Sequence, residues 1–62
     1  MKMQVGDRVM VRLAGWGEVL ETGDGEGARV RMEDDGWEVQ VHSSDVIARW
    51  RNGNLSEILT RA

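Results

Sequence analysis

Short stretches in which apolar and polar residues alternate one for one, cut apart by glycine, constrain this chain more than any other feature. Trp37, Val39 and Val41 alternate with Glu38, Gln40 and His42; Val9, Val11 and Leu13 alternate with Arg8, Met10 and Arg12; Ala28, Val30 and Met32 alternate with Arg29 and Arg31. A period of two places every second side chain on one face of a strand and leaves the other face to solvent. A helix would need apolar residues three and four apart, a spacing that Leu55, Ile58 and Leu59 show near the end.

The punctuation predicts where strands begin and end. Gly6-Asp7 precedes the first strand, Gly15-Trp16-Gly17 interrupts the pattern, and Glu18–Thr22 reads as the second strand. Gly23 to Gly27 is a flexible loop, since a phosphate-binding glycine loop would need a following helix where a strand is expected. Asp34-Asp35-Gly36 reads as a tight turn and Trp37–His42 as the fourth strand, with its tryptophan facing the core. Ser43-Ser44-Asp45 offers side-chain acceptors for a brief helical turn running through Val46-Ile47. Ala48-Arg49-Trp50-Arg51 is the fifth strand, with Trp50 inward and its two arginines outward, and Asn52-Gly53 ends it. Short strands at close intervals between glycine-rich turns predict an all-β fold, here a five-stranded SH3-like barrel with a short helical turn before the last strand. Residues 1–52 form the barrel and residues 53–62 a C-terminal tail that is helical or disordered.

Size and composition limit what such a barrel can do. The chain has 62 residues, one histidine and no cysteine, so disulfides, thiolate metal sites and imidazole clusters are all excluded. A domain this small buries only ~60% of the surface its unfolded chain exposes. Self-association into a homo-oligomer is the route left for adding stability. No apolar run approaches the ~20 residues that span a bilayer, and the start lacks the apolar stretch of a signal peptide; the expectation is a cytoplasmic protein with no membrane partner. The net charge of −3 argues against indiscriminate binding to nucleic acid.

Val5-Gly6-Asp7-Arg8-Val9, Gly17-Glu18-Val19, Arg29-Val30-Arg31 and Val41-His42-Ser43-Ser44-Asp45-Val46 together resemble the bacterial SH3-like, Tudor-like and KOW-type modules over residues 5 to 50. Such barrels serve many unrelated tasks, so this resemblance implies fold and not function. With Trp16, Trp37 and Trp50 as the only aromatics, the aromatic cage by which Tudor-type modules hold a methylated cation cannot be completed.

Candidate chemistry is sparse. Glu33-Asp34-Asp35 is an acidic turn without the spread of oxygen ligands that calcium loops require, so no metal is expected. His42, Ser43, Ser44 and Asp45 contain the letters of a catalytic triad, but adjacent strand residues point to opposite faces. The arginines weigh more. If the first and last strands are neighbours, Arg8, Arg12, Arg49 and Arg51 share one outer surface, extended by Trp16, and four guanidiniums favour phosphate or carboxylate groups. The leading expectation is a non-enzymatic interaction module that binds a protein or nucleic-acid partner through this face.

A second resemblance points to a different class. Val39-Gln40-Val41-His42 is similar to the Val-Gln-Ile-Tyr strand of the plasmid-borne, trimethoprim-insensitive dihydrofolate reductases. These are short SH3-like barrels whose four copies surround a central pore. The resemblance implies that Gln40, Val41 and His42 would line a pore holding NADPH and dihydrofolate. The chain departs from that family at two places: His42 stands for the tyrosine, and Val11, with Arg12 beside it, stands for the lysine that attracts the anionic substrates.

Overall fold

The computed structural model describes residues 3–23 and 25–57. Six strands follow one another: β1 (Arg8–Val11), β2 (Gly15–Thr22), β3 (Gly27–Met32), β4 (Glu38–His42), β5 (Val46–Arg51) and β6 (Asn54–Glu57), with a 3-10 turn at Ser43–Asp45 between β4 and β5. All pairings are antiparallel, in the spatial order β4-β3-β2-β1-β5-β6. The chain is all-β, as its alternation demands. The expected closure is corrected: among the described residues the sheet is open, with β4 and β6 at its two edges.

The sheet is nonetheless strongly curled. Its extents are 28 × 25 × 25 Å, whereas a flat sheet is only about 10 Å from one packed layer to the next. Curling lets one face bury against itself. Met3, Val9, Val11, Val19, Ala28, Val30, Met32, Val41 and Val46 form a single buried cluster. Its largest fully buried side chains are valines, namely Val9, Val19, Val30 and Val46. Each contributes about 1.5–3 kcal/mol by burial, so this is a modest core without a buried aromatic.

Two irregularities decide which residues face that core. In the β1–β5 ladder Val11 pairs with Val46 and Met10 with Ala48, which leaves Ile47 as an extra residue. A β-bulge of this kind inverts the alternation beyond it. Arg49 therefore lies opposite the fully buried Val9, and Trp50 lies opposite Arg8 on the outer face. This reverses the orientation expected for β5: Trp50 is 42% exposed, while Arg49 and Arg51 turn to the inner side. Leu20 is skipped in the same way between Val19 and Glu21 in the β2–β3 ladder.

Trp37 also departs from expectation and is 70% exposed. It precedes β4, where its N–H donates to Asp35 Oδ1 at 2.9 Å and its C=O accepts from Met32 at 2.8 Å. This turn ends the inner face at Met32 and leaves the indole beyond it. Leu13 does not continue β1. Its φ is 63° and its side chain is fully exposed in the turn to β2.

The residues after Arg51 form a strand where a helical or disordered tail was expected. Asn52 and Gly53 both have positive φ, 51° and 80°, and Arg51 pairs directly with Asn54 across them. That is the two-residue hairpin whose mirror-image turn matches the twist of the flanking strands. Ile58 and Leu59, the remainder of the expected helical stripe, lie outside the described residues. Among the described residues no helix is long and apolar enough to cross a membrane.

Candidate functional site

The outer face of β2, β1, β5 and β6 carries a continuous row of large side chains. Residues directly opposite one another in an antiparallel ladder share a face and touch. Trp16 lies opposite Met10, Arg8 opposite both Glu18 and Trp50, and Trp50 opposite Leu55. Trp50 and Leu55 are 42% and 51% exposed, and Trp16 and Met10 are half-buried. The row thus runs Trp16, Met10, Arg8, Trp50, Leu55 across four strands.

Arg8 is the most tightly held member. Its guanidinium carbon sits 4.6 Å from the centroid of the Trp16 ring, within the ~6 Å range of a cation–π contact. Glu33, just after β3, grips the same guanidinium in a bidentate pair, Nη2 donating to Oε1 at 2.8 Å and Nε to Oε2. The Glu33 N–H donates to the Trp16 carbonyl at 3.0 Å, which ties the carboxylate to the tryptophan it serves. The hydrogen bond from Arg8 lowers the Glu33 carboxyl below its ordinary value, and Glu33 raises Arg8 in return. Beside the indole lies a shallow cleft of about 330 Å³ lined by Ala14, Gly15, Trp16, Glu33 and Asp34.

The remaining arginines are not brought to this surface. Arg51 turns inward and donates from Nε to Asp7 Oδ1 at 2.8 Å and from Nη2 to Asp7 Oδ2 at 2.6 Å. Arg49 is half-buried on the same inner side, opposite Val9, and its Nε is buried without a hydrogen-bond acceptor among the described residues. Arg12 is exposed past the end of β1, in the turn where its N–H donates to the Asp45 carbonyl at 2.7 Å. The expected outer surface of Arg8, Arg12, Arg49 and Arg51 is therefore divided between two faces by the β5 bulge. On β3, Arg29 and Arg31 face Glu21 and Glu38 at 3.4 Å.

Gln40, Val41 and His42 do not converge either. Val41 is 4% exposed inside the core, whereas Gln40 and His42 are exposed on the other face of β4. His42 Nδ1 accepts the Ser44 N–H at 3.1 Å and lies 2.9 Å from the Ser44 hydroxyl. The imidazole, not a serine or an aspartate, caps the 3-10 turn. Ser43 Oγ donates to Glu26 across the β3–β4 end. Among the described residues no three histidine or carboxylate groups are gathered to hold a metal ion.

Sequence reasoning missed Met10, Glu33 and Leu55 as members of the outer row, and it placed Trp50 inside. Met10 had a legible signal in its alternation with Val9 and Val11, which sets it on the face of Arg8, and Leu55 had one in the Asn52-Gly53 hairpin turn that carries it back beside Trp50. No protein-family model, curated protein or solved structure matches this chain.

Proposed function

We propose that this chain is a non-enzymatic interaction module that binds a protein partner through the outer row of Trp16, Met10, Arg8, Trp50 and Leu55. The observation that carries the reading is the continuity of that row across four strands, with Arg8 fixed over Trp16 by Glu33. Tryptophan, methionine and arginine are the residue types enriched where proteins bury one another's surfaces, and tryptophan and arginine dominate binding hot spots. The Glu33 clamp holds Arg8 in one orientation before any partner arrives, so less side-chain freedom is lost on binding.

Charge favours protein over nucleic acid as the partner. Arg8, Arg29, Arg31 and Arg51 each face a carboxylate, and the chain carries a net −3. Affinity for nucleic acid rests mainly on unpaired cations displacing counterions from phosphates. The Arg12, Arg49 and Arg51 positions are not needed for the protein-binding row.

The test is selection of binding peptides from a displayed library against the intact chain, followed by Trp50→Ala and Arg8→Ala variants. Trp50→Ala is expected to weaken selected binders by about 30-fold or more, the loss typical of a hot-spot residue. Unchanged binding by both folded variants would overturn the reading. So would chemical-shift changes at Arg8, Trp16 and Trp50 on titration with single-stranded DNA or RNA that fade steeply as salt is added.

A further inference from the structure

β4 ends the strand order of the sheet among the described residues. Met32 N–H donates to the Trp37 carbonyl, and Ser43 N–H donates to the Glu26 carbonyl. With Val30 opposite Val39 and Ala28 opposite Val41, these bonds fix the phase of the β3–β4 ladder. Trp37, Val39, Val41 and Ser43 direct their peptide groups at β3. Glu38, Gln40 and His42 must then direct theirs away from it, since hydrogen-bonded and non-hydrogen-bonded pairs alternate in an antiparallel ladder. Among the described residues β4 has no strand on that side.

Proteins ordinarily protect such an edge with lysine, proline, a bulge or an inward-pointing charge. This one has none. Its register with β3 is regular from Glu38 to His42, in contrast to the bulged β1–β5 and β2–β3 ladders. On its inner face Val39 is apolar and 38% exposed, and just before the strand the Trp37 indole is 70% exposed.

We propose that a second copy of this chain pairs with the β4 edge, antiparallel and two-fold symmetric about Gln40, to join two curled sheets into one continuous sheet. Only the register centred on Gln40 engages all three outward-directed residues of both copies at once. Gln40 then faces Gln40 of the second copy, and Glu38 faces its His42, twice over by symmetry. A carboxylate is thereby set opposite an imidazole, whose Nδ1 is already occupied as acceptor by the Ser44 N–H. The Nε2 end of that ring is the one free to donate. On the opposite face Val39 meets Val41 of the second copy, and Trp37 lies over its Ser43. Registers displaced toward Trp37 set Glu38 against Glu38, like charges that disfavour pairing. The edge therefore selects its own copy in one alignment. This surface is separate from the Trp16–Leu55 row, so the proposal stands or falls independently of the protein-binding reading.

Sedimentation equilibrium on the full chain is expected to show a monomer–dimer equilibrium at roughly 0.1–1 mM. Hydrogen exchange at the Glu38, Gln40 and His42 amides should slow as concentration rises, while those of Val39 and Val41 are protected at every concentration. Gln40→Pro removes an N–H that points away from β3, a position an edge strand tolerates, and is expected to give a folded monomer. His42→Glu sets carboxylates opposite one another and should weaken the dimer by about tenfold; the exchange Glu38→His with His42→Glu restores complementarity and should recover it. A chain that stays monomeric at 1 mM overturns the proposal. So does a folded Gln40→Pro variant that still dimerises, or an edge that takes an added extended peptide while showing no self-pairing. Should Gln40→Pro fail to fold, failure of His42→Glu to weaken the dimer overturns it as well.

Discussion

Asp7→Asn is expected to destabilise the chain by about 3 kcal/mol and to lower its melting temperature by roughly 12–24 °C, taking ~4–8 °C per kcal/mol for a domain of this size. Asp7 is 2% exposed, the one buried charged residue among the described residues, beside an otherwise apolar cluster. It accepts two hydrogen bonds from Arg51 and one from the Gln4 N–H at 2.9 Å. Its own backbone is strapped to β2, where its C=O accepts from Val19 N–H at 2.8 Å. It thereby joins the lead-in segment, β2 and the end of β5 at one point. Asparagine keeps the shape, removes the charge and offers Arg51 one acceptor oxygen at this position in place of two. Breaking a buried pair in this way typically costs ~3–5 kcal/mol, and the low end applies because the Arg51 side chain is 27% exposed. With a valine core this small, that is a large share of the total stability.

Acid should reproduce part of the effect. The hydrogen bond from Arg51 holds the Asp7 carboxyl below its ordinary value; burial opposes this, and the charges of Arg51 and Arg49 assist it. A carboxyl lowered in the folded state binds its proton more readily when unfolded. Its contribution is thus complete above the unfolded value of about 3.9 and is lost as pH falls through the lower folded value. Thermal melts followed by circular dichroism should show the gap between the native chain and Asp7→Asn narrowing below about pH 4. A gap that is constant from pH 7 to pH 2.5 would show that Asp7 acts through shape and not through charge. Glu33, also lowered but exposed, titrates with the same sign and carries little of the stability, as exposed pairs generally do.

The strands themselves were legible because alternation is a local property. Val9 and Val11, Ala28 through Met32, and Val41 all lie where their period places them. What alternation could not reveal was a change of phase. One extra residue at Ile47, forced by the register of β5 against β1, sends Arg49 and Arg51 inward and Trp50 outward. No property of Ile47 announces this, since a bulge is set by the partner strand. The four arginines are split between two faces for that reason, and the outer face carries the Trp16–Leu55 row. The sixth strand is a different case. Asn-Gly between Trp50-Arg51 and Asn54-Leu55 is a strong hairpin signal, while the helical spacing of Leu55, Ile58 and Leu59 points the other way. The clamp on Arg8 was beyond reach altogether, because Glu33 is 25 residues away and its acidic neighbours look the same in sequence.

Two glycines separate steric need from mere convenience. Gly17→Ala is expected to cost about 2–3 kcal/mol, the upper part of the range for forcing a methyl into a packed interior. Gly27→Ala should fall within about 0.5 kcal/mol of the native chain, as substitutions without a structural conflict do. A Cβ on Gly17 would lie 2.5 Å from Val30 Cγ1, 2.9 Å from the Arg31 carbonyl oxygen and 3.0 Å from Met32 Sδ. Val30 is fully buried, its β-branched side chain has little rotamer freedom, and the carbonyl belongs to the neighbouring strand. None of the three can step aside cheaply. A Cβ on Gly27 would meet the far end of the exposed Gln40 side chain at 2.8 Å, which can swing into solvent. Gly17 lies opposite both Val9 and Met32, residues of the buried core. Trp16 and Glu33 are the next residues along these two strands, joined by the Glu33 N–H to Trp16 carbonyl bond. Pushing the strands apart at Gly17 should therefore disturb the seat of Arg8 as well as the core. Gly17→Ala is expected to melt earlier by roughly 8–24 °C and to shift the Trp16 indole resonance, while Gly27→Ala changes neither. Equal melting of the two variants would mean that the close contacts at Gly17 set no steric limit on the core.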